Sequence, residues 1–276
     1  MNRFLTALLG VLISCGIACA QDFRWDSRPM DGSITGCRAA SAENVTDALG
    51  SLLPDGTFVA PSGKVFPASS ATAKVAAIVI GAQPEMADLK KVVGYSEEEL
   101  PHMKTEGSLS NWFVGIVMDK VSELSGKKTD VGICNFGGIR KGMPKGDVLL
   151  DDIQSMFPFR NYLVHLEMTG SELRKVLQSM AQTSFQAVGG VTVEVEDRNV
   201  VSVLVGGKPL NDEEVYDVAT ISFLLTGGDG LKLEDNAQKI DSYDVMIFDA
   251  VMEYVDNLTK EGKPITSTDE RHVIIR

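Results

Sequence analysis

From about Pro84 to Arg276, apolar runs with a two-residue repeat alternate with runs that repeat every three or four residues. This alternation limits the fold more than any other feature. Leu109, Trp112, Phe113, Ile116, Val117, Val121 and Leu124 mark one side of an amphipathic helix, with Ser108 or Ser110 placed to cap it. Asp151-Asp152 opens a short helix that stops at Pro158. Thr169-Gly170-Ser171-Glu172 matches a capping box, and Leu173, Val176, Leu177 and Met180 follow at helical spacing. Val245, Phe248, Met252 and Val255 mark a last long helix. Between these lie strand-like runs at 131–134, 162–168, 191–195, 200–205 and 215–223, with 272–275 closing the chain. Interleaving of this kind predicts an α/β fold, a mixed sheet with flanking helices, and not a bundle or a sandwich.

The run at 131–134 ends in Asn135-Phe136-Gly137-Gly138-Ile139-Arg140. A buried strand that breaks on paired glycines, flanked by an amide and a guanidinium, is where open α/β sheets tend to place ligands. Glycines there let backbone approach a ligand and tolerate positive φ. A tight turn with an incidental surface arginine explains the same residues. Two further glycine pairs adjoin aromatic rings: Phe185 precedes Gly189-Gly190, and Phe223 precedes Gly227-Gly228-Asp229-Gly230. Facing phenyl rings would clamp a flat heteroaromatic ligand, each face contributing about 1–3 kcal/mol by analogy with base stacking. Asp229 has the chemistry to accept both hydroxyls of a ribose. Taken singly, each ring is equally explained by core packing.

The formal net charge of -12 argues against nucleic acid or an anionic membrane as the main partner. Arg3 followed by an apolar run from Phe4 to Ile17 reads as an export signal, too short and too early for a transmembrane span. Two cleavage readings stand. Ala18-Cys19-Ala20 fits ordinary signal peptidase, giving a signal of residues 1–20, and Leu12-Ile13-Ser14-Cys15-Gly16 resembles a lipobox that would attach a lipid anchor at Cys15. Both place the mature chain outside the cytoplasm, in the periplasm or as a cell-surface or outer-membrane lipoprotein. Cys37 and Cys134 remain in the body, either as one disulfide or with Cys134 as a buried thiol. Residues 21–83, rich in Gly, Pro, Ser and Ala, read as an extension packed on a main domain of residues 84–276. Within it, 57–59 and 64–66 suit a hairpin, and 71–80 is apolar enough to be buried.

The glycine-strand motif, Phe157-Pro158-Phe159-Arg160-Asn161, Met168-Thr169-Gly170-Ser171-Glu172-Leu173, Tyr216-Asp217-Val218-Ala219-Thr220 and Gly227-Gly228-Asp229-Gly230 together resemble the successive motifs of the 5'-nucleotidase C-terminal domain family. Glu106-Gly107-Ser108-Leu109-Ser110-Asn111-Trp112-Phe113 resembles that domain's opening helix. The resemblance implies a domain that holds a nucleoside or nucleoside monophosphate. Phe185 and Phe223 would stack on the base, Asp229 would hold the ribose, Asn135 and Arg140 would contact base, sugar or phosphate, and Gly189 and Gly190 would bring backbone to the base. Family members carry a further Arg before the opening helix. Here the chain reads His102-Met103-Lys104, a point charge in place of a bidentate fork.

Full-length members also have a metallophosphatase domain, whose two metal ions generate the attacking hydroxide. This chain holds only His102, His165 and His272, without the paired ligands such a centre needs. It shows no zinc-ligand spacing, P-loop or nucleophile elbow. His165, on an alternating strand, reads as a structural histidine. The expectation is therefore a substrate-specificity half of an exported 5'-nucleotidase, with no catalytic or metal-ligating residue and no cofactor of its own. A separate metallophosphatase chain would carry the divalent metals. A non-catalytic nucleoside-binding protein and a scaffold with a dead site are the alternatives.

Overall fold

The computed structural model describes residues 49–84 and 87–276. The export signal with its cleavage readings, residues 21–48 and Cys37 lie outside them. What is described of the extension is a small unit. Strands β1 (Ser51–Leu52), β2 (Phe58–Val59) and β3 (Val65–Phe66) form an antiparallel sheet beside helix α1 (Ala71–Gly81). The expected hairpin is present, with Phe58 opposite Phe66 and their rings 6.0 Å apart. Residues 71–80 are not buried as their composition suggested. Ser70 Oγ accepts from the Ala73 N–H to cap α1, but Ala73 is the helix's one buried residue, and Val75, Ile78 and Val79 are exposed. Strands of two residues present too little surface to cover a helix that is apolar all round. No residue of this unit joins the core cluster of the main domain.

The main domain opens with β4 (Val92–Ser96) and helix α2 (Ser108–Ser125). The N-cap of α2 is Gly107; Ser110, one of the two expected caps, works from inside the helix, its Oγ accepting from the Gly107 N–H at 3.0 Å. Next come β5 (Val131–Cys134), β6 (Gly146–Leu149), which pairs with β4, and α3 (Leu150–Met156). They are followed by β7 (Tyr162–Thr169), α4 (Gly170–Gln182), β8 (Ala187–Gly189) and β9 (Val191–Glu196). The chain continues through β10 (Asn199–Val205), β11 (Lys208–Pro209), β12 (Val215–Ile221), β13 (Lys239–Met246), α5 (Ile247–Lys260) and β14 (Val273–Ile275).

The central sheet has the order β13-β7-β12-β5-β8, and the second β11-β10-β9-β14. In the central sheet β5 and β12 are parallel neighbours, while β7, β8 and β13 run antiparallel to their partners. The sheet is mixed, as expected. The β9–β10 hairpin turns on Asp197 and Arg198 with φ of 47° and 65°, the double positive φ of a primed turn that matches strand twist. The capping box of α4 is half realised, Thr169 Oγ1 accepting from Glu172 N–H.

Gly132 and Gly189 lie opposite each other on β5 and β8. A Cβ at Gly189 would fall 2.7 Å from Val114 Cγ1, and one at Gly132 would meet Val114 and Met118. The paired glycines form the trough in which α2 rests. Phe113 of α2 meets Phe157, at the end of α3, with ring centroids 4.7 Å apart, and this fixes where the Pro158-Phe159 segment begins. Cys134 is a free, fully buried thiol, and burial holds it well above the ordinary thiol range, so it is no nucleophile.

Candidate functional site

Strand direction gathers the site. Because β5 and β12 are parallel, their C-terminal ends leave the sheet on the same edge, carrying Asn135 and the Ser222–Leu224 turn. β7 is antiparallel to β12, with Ile221 opposite Leu163, so β7 enters at that edge just after Phe159. β8 is antiparallel to β5, with Ala187 opposite Cys134, so Phe185 and Gln186 arrive there too. Residues distant in the chain therefore share one rim, the usual ligand position in sheets of this kind.

At that rim Asn135 is 4% exposed, and its Nδ2 donates to Asp229 Oδ2 at 2.7 Å. Asn135 Oδ1 is sealed from solvent and has no hydrogen-bond partner. A buried acceptor without a donor costs about 1–3 kcal/mol. Gly137 and Gly138 do not adopt the positive φ that paired glycines suggested. They matter for space: a Cβ at Gly138 would sit 2.7 Å from Asn135 Oδ1, and one at Gly137 would lie 3.6 Å from Asp229 Oδ2.

Asp229 has φ 48°, a left-handed conformation uncommon for a residue with a side chain, between Gly228 and Gly230. That backbone swings its carboxylate back to Asn135. Gly228 lies under the Phe223 ring, which a Cβ there would meet at 2.6 Å, and Phe223 is 41% exposed. On the other side, Arg140 Nη1 donates to Gly137 O at 3.3 Å, and the guanidinium stands 5.8 Å from the centroid of Phe159. The Arg140 backbone is tied by its N–H to Met156 O, and Lys141 Nζ donates to Asp152 Oδ1 at 2.7 Å.

Phe185 takes a different position from Phe223. It is half-buried against the core and lines a cavity of about 680 Å³ beside the turn, together with Phe136, Gln186, Lys104 and Arg271. Gln186 Oε1 accepts from the Phe136 N–H at 3.2 Å, pinning the glycine turn from β8. Gly189 and Gly190 are not brought to this rim. They lie toward the Asp130 end of β5, where they meet α2 and the Asp130 backbone, about 10–13 Å of strand from the Asn135 end.

Phe159 also stands at this rim, although the sequence marked it only as part of a motif. It is 47% exposed and carries Arg140 on its face. Its signal was its place inside Phe157-Pro158-Phe159: Pro158 ends a helix, so the next ring starts outside the core.

His165 is fully buried, with Nε2 2.7 Å from Asp217 Oδ1 and Nδ1 3.4 Å from Asp241 Oδ2. His165, Glu167 and Asp217 are close enough to share a cation. However, Lys127 Nζ already meets Glu167 at 2.7 Å and Asp217 at 3.5 Å, and Lys239 meets Asp241 at 2.6 Å. The acids are neutralised by ammonium groups, so the cluster suits a structural charge network better than a metal. Among the described residues no helix is long and apolar enough to cross a membrane.

The family described as 5'-nucleotidase, C-terminal domain, matches residues 92–235. A 5'-nucleotidase of Vibrio vulnificus is 31% identical over 115 residues, 40% of this chain and 21% of the relative. The trifunctional nucleotide phosphoesterase protein YfkN of Bacillus subtilis is 27% identical over 202 residues, 65% of this chain and 14% of that protein. Among solved structures, the 5'-nucleotidase precursor of Thermus thermophilus superposes with a TM-score of 0.64 at 25% identity, covering 74% of this chain and 43% of the other. The chain thus spans less than half the length of each of these proteins.

Proposed function

Because the chain belongs to the 5'-nucleotidase C-terminal domain family, we propose that it binds the nucleoside part of a nucleoside monophosphate at the Asn135–Asp229 rim. It acts as the substrate-specificity half of an exported nucleotidase. The observation that carries this reading is the Asn135–Asp229 pair, a carboxylate held in a left-handed turn and anchored by the Asn135 amide. Asp229 accepts the ribose hydroxyls, and Asn135 Nδ2 holds the carboxylate in place for them. Phe223 supplies one stacking face. We assign the second to Phe159, whose ring is exposed, and keep Phe185 as a wall of the adjoining cavity. Arg140, already on Phe159, faces the phosphate side.

Hydrolysis would fall to a separate metallophosphatase chain, whose divalent metals would activate the water that attacks phosphorus. This chain's residues bind and orient. Fixing the nucleoside converts part of a bimolecular encounter into a positioned one, where oriented binding contributes most to rate. The test mixes this chain with a metallophosphatase that lacks its own C-terminal domain and follows phosphate release from AMP. The expected result is a higher rate and a changed preference among nucleotides. Nucleoside binding by calorimetry, with no effect on any such phosphatase, would leave a binding protein in place of a split enzyme.

The ring assignment has its own test. Phe159→Ala and Phe223→Ala should each weaken adenosine binding about tenfold, a loss of one stacking face. Phe185→Ala should lower the melting temperature more than the affinity. The reverse pattern in calorimetry and thermal melts would return the clamp to Phe185.

A further inference from the structure

We propose that Gln186 selects the base, favouring one that presents a carbonyl oxygen over one that presents an amino group. This inference rests on the nucleoside-binding reading above and adds to it a substrate class.

The orientation of the Gln186 amide is fixed by its partner. The Phe136 backbone N–H can only donate, so the atom facing it at 3.2 Å is Oε1, and Nε2 is the free end. Nε2 makes no hydrogen bond within the chain. It is also not sealed: among the described residues, the buried polar side-chain atoms without partners are Trp112 Nε1 and Asn135 Oδ1. Gln186 is only 8% exposed, and the cavity beside the turn is the space it lines. Nε2 therefore offers its hydrogens to that cavity, next to the Phe185 and Phe136 rings.

A pinned donor in an apolar wall discriminates more sharply than a mobile one, because the wrong group leaves two donors facing each other with neither satisfied. An oxopurine or uracil riboside presents a carbonyl acceptor to Nε2. Adenine presents an exocyclic amine at the corresponding position. The turn that Gln186 pins also carries Asn135, so base choice and ribose grip are set from one backbone segment.

The experiment compares inosine with adenosine by calorimetry on the full chain. Wild type is expected to bind inosine about tenfold more tightly, the value of one well-made hydrogen bond. Gln186→Met fills the same space without donor or acceptor and should bring the two affinities level. Gln186→Glu keeps an acceptor for Phe136 and turns a second acceptor to the cavity, so it should favour adenosine. Thermal melts identify a variant that fails to fold, and Gln186→Met then decides alone. Equal affinities in wild type, a preference for adenosine, or an inosine preference that survives Gln186→Met would overturn the assignment while leaving nucleoside binding intact. If wild type binds neither nucleoside, both this inference and the reading beneath it fall.

Discussion

Asp229→Asn is expected to weaken nucleoside binding about 100-fold and to leave the melting temperature nearly unchanged. The substitution separates the ligand role of this residue from its structural one. Asparagine tolerates the left-handed backbone that Asp229 adopts at φ 48°, and its Oδ1 still accepts from Asn135 Nδ2. What it loses is charge and one acceptor. A carboxylate that receives two ribose hydroxyls makes two charge-assisted bonds of about 1.5 kcal/mol or more each, and about 3 kcal/mol corresponds to roughly 100-fold. Calorimetry with adenosine, and again with its 2'-deoxy form, reads the effect. The deoxy form keeps one of the two bonds, so it should bind wild type about tenfold more weakly than adenosine and lose about a further tenfold in the variant. If Asp229→Asn binds adenosine as wild type does, the acid is only a partner for Asn135 and the ribose assignment fails.

The fold was legible in the sequence wherever one periodic run matched one element. Residues 109–124 became α2, Thr169 capped α4, and the runs at 191–195 and 200–205 became the β9–β10 hairpin. Elements whose partners are remote in sequence were harder to see. β4 and β6 pair across α2 and β5, and β13 reads KIDSYDVM, with charges on a strand stabilised by Lys239 and Asp241 facing β7. The meeting of Asn135 with Asp229 was legible, since glycine pairs mark where strands leave a sheet. Which rings stand free was not legible. Phe185 and Phe159 are equally aromatic, and only burial distinguishes a ring packed on the core from an exposed one. Spacing also says nothing about which way a glycine faces. Gly189 and Gly190 carry the same letters as Gly227 and Gly228, yet the first pair lies against α2, while Gly228 lies beneath Phe223 and Gly227 stands in open space.

That contrast leads to a substitution whose outcome depends on which use of glycine holds at Gly190. Gly190→Ala is expected to destabilise the domain by about 3 kcal/mol, from two causes that add. Its φ of 72° lies in the left-handed region, which costs a residue with a Cβ about 1–2 kcal/mol. The new methyl would also run into the Asp130 carbonyl oxygen and crowd Met118 Cε at 2.9 Å. Asp130 is not free to withdraw, because its N–H donates to Asp217 O and its carboxylate accepts from Asp217 N–H, which aligns β5 with β12. Relief must come from shifting the start of β5, and overpacking of this kind costs about 1–3 kcal/mol. For a domain of this size the loss should lower the melting temperature by roughly 6–12 °C. Nucleoside affinity measured well below the transition should stay close to wild type, because the Asn135 rim is at the other end of the strand. A variant that melts as wild type does but no longer binds adenosine would show instead that the Gly190 backbone touches the base.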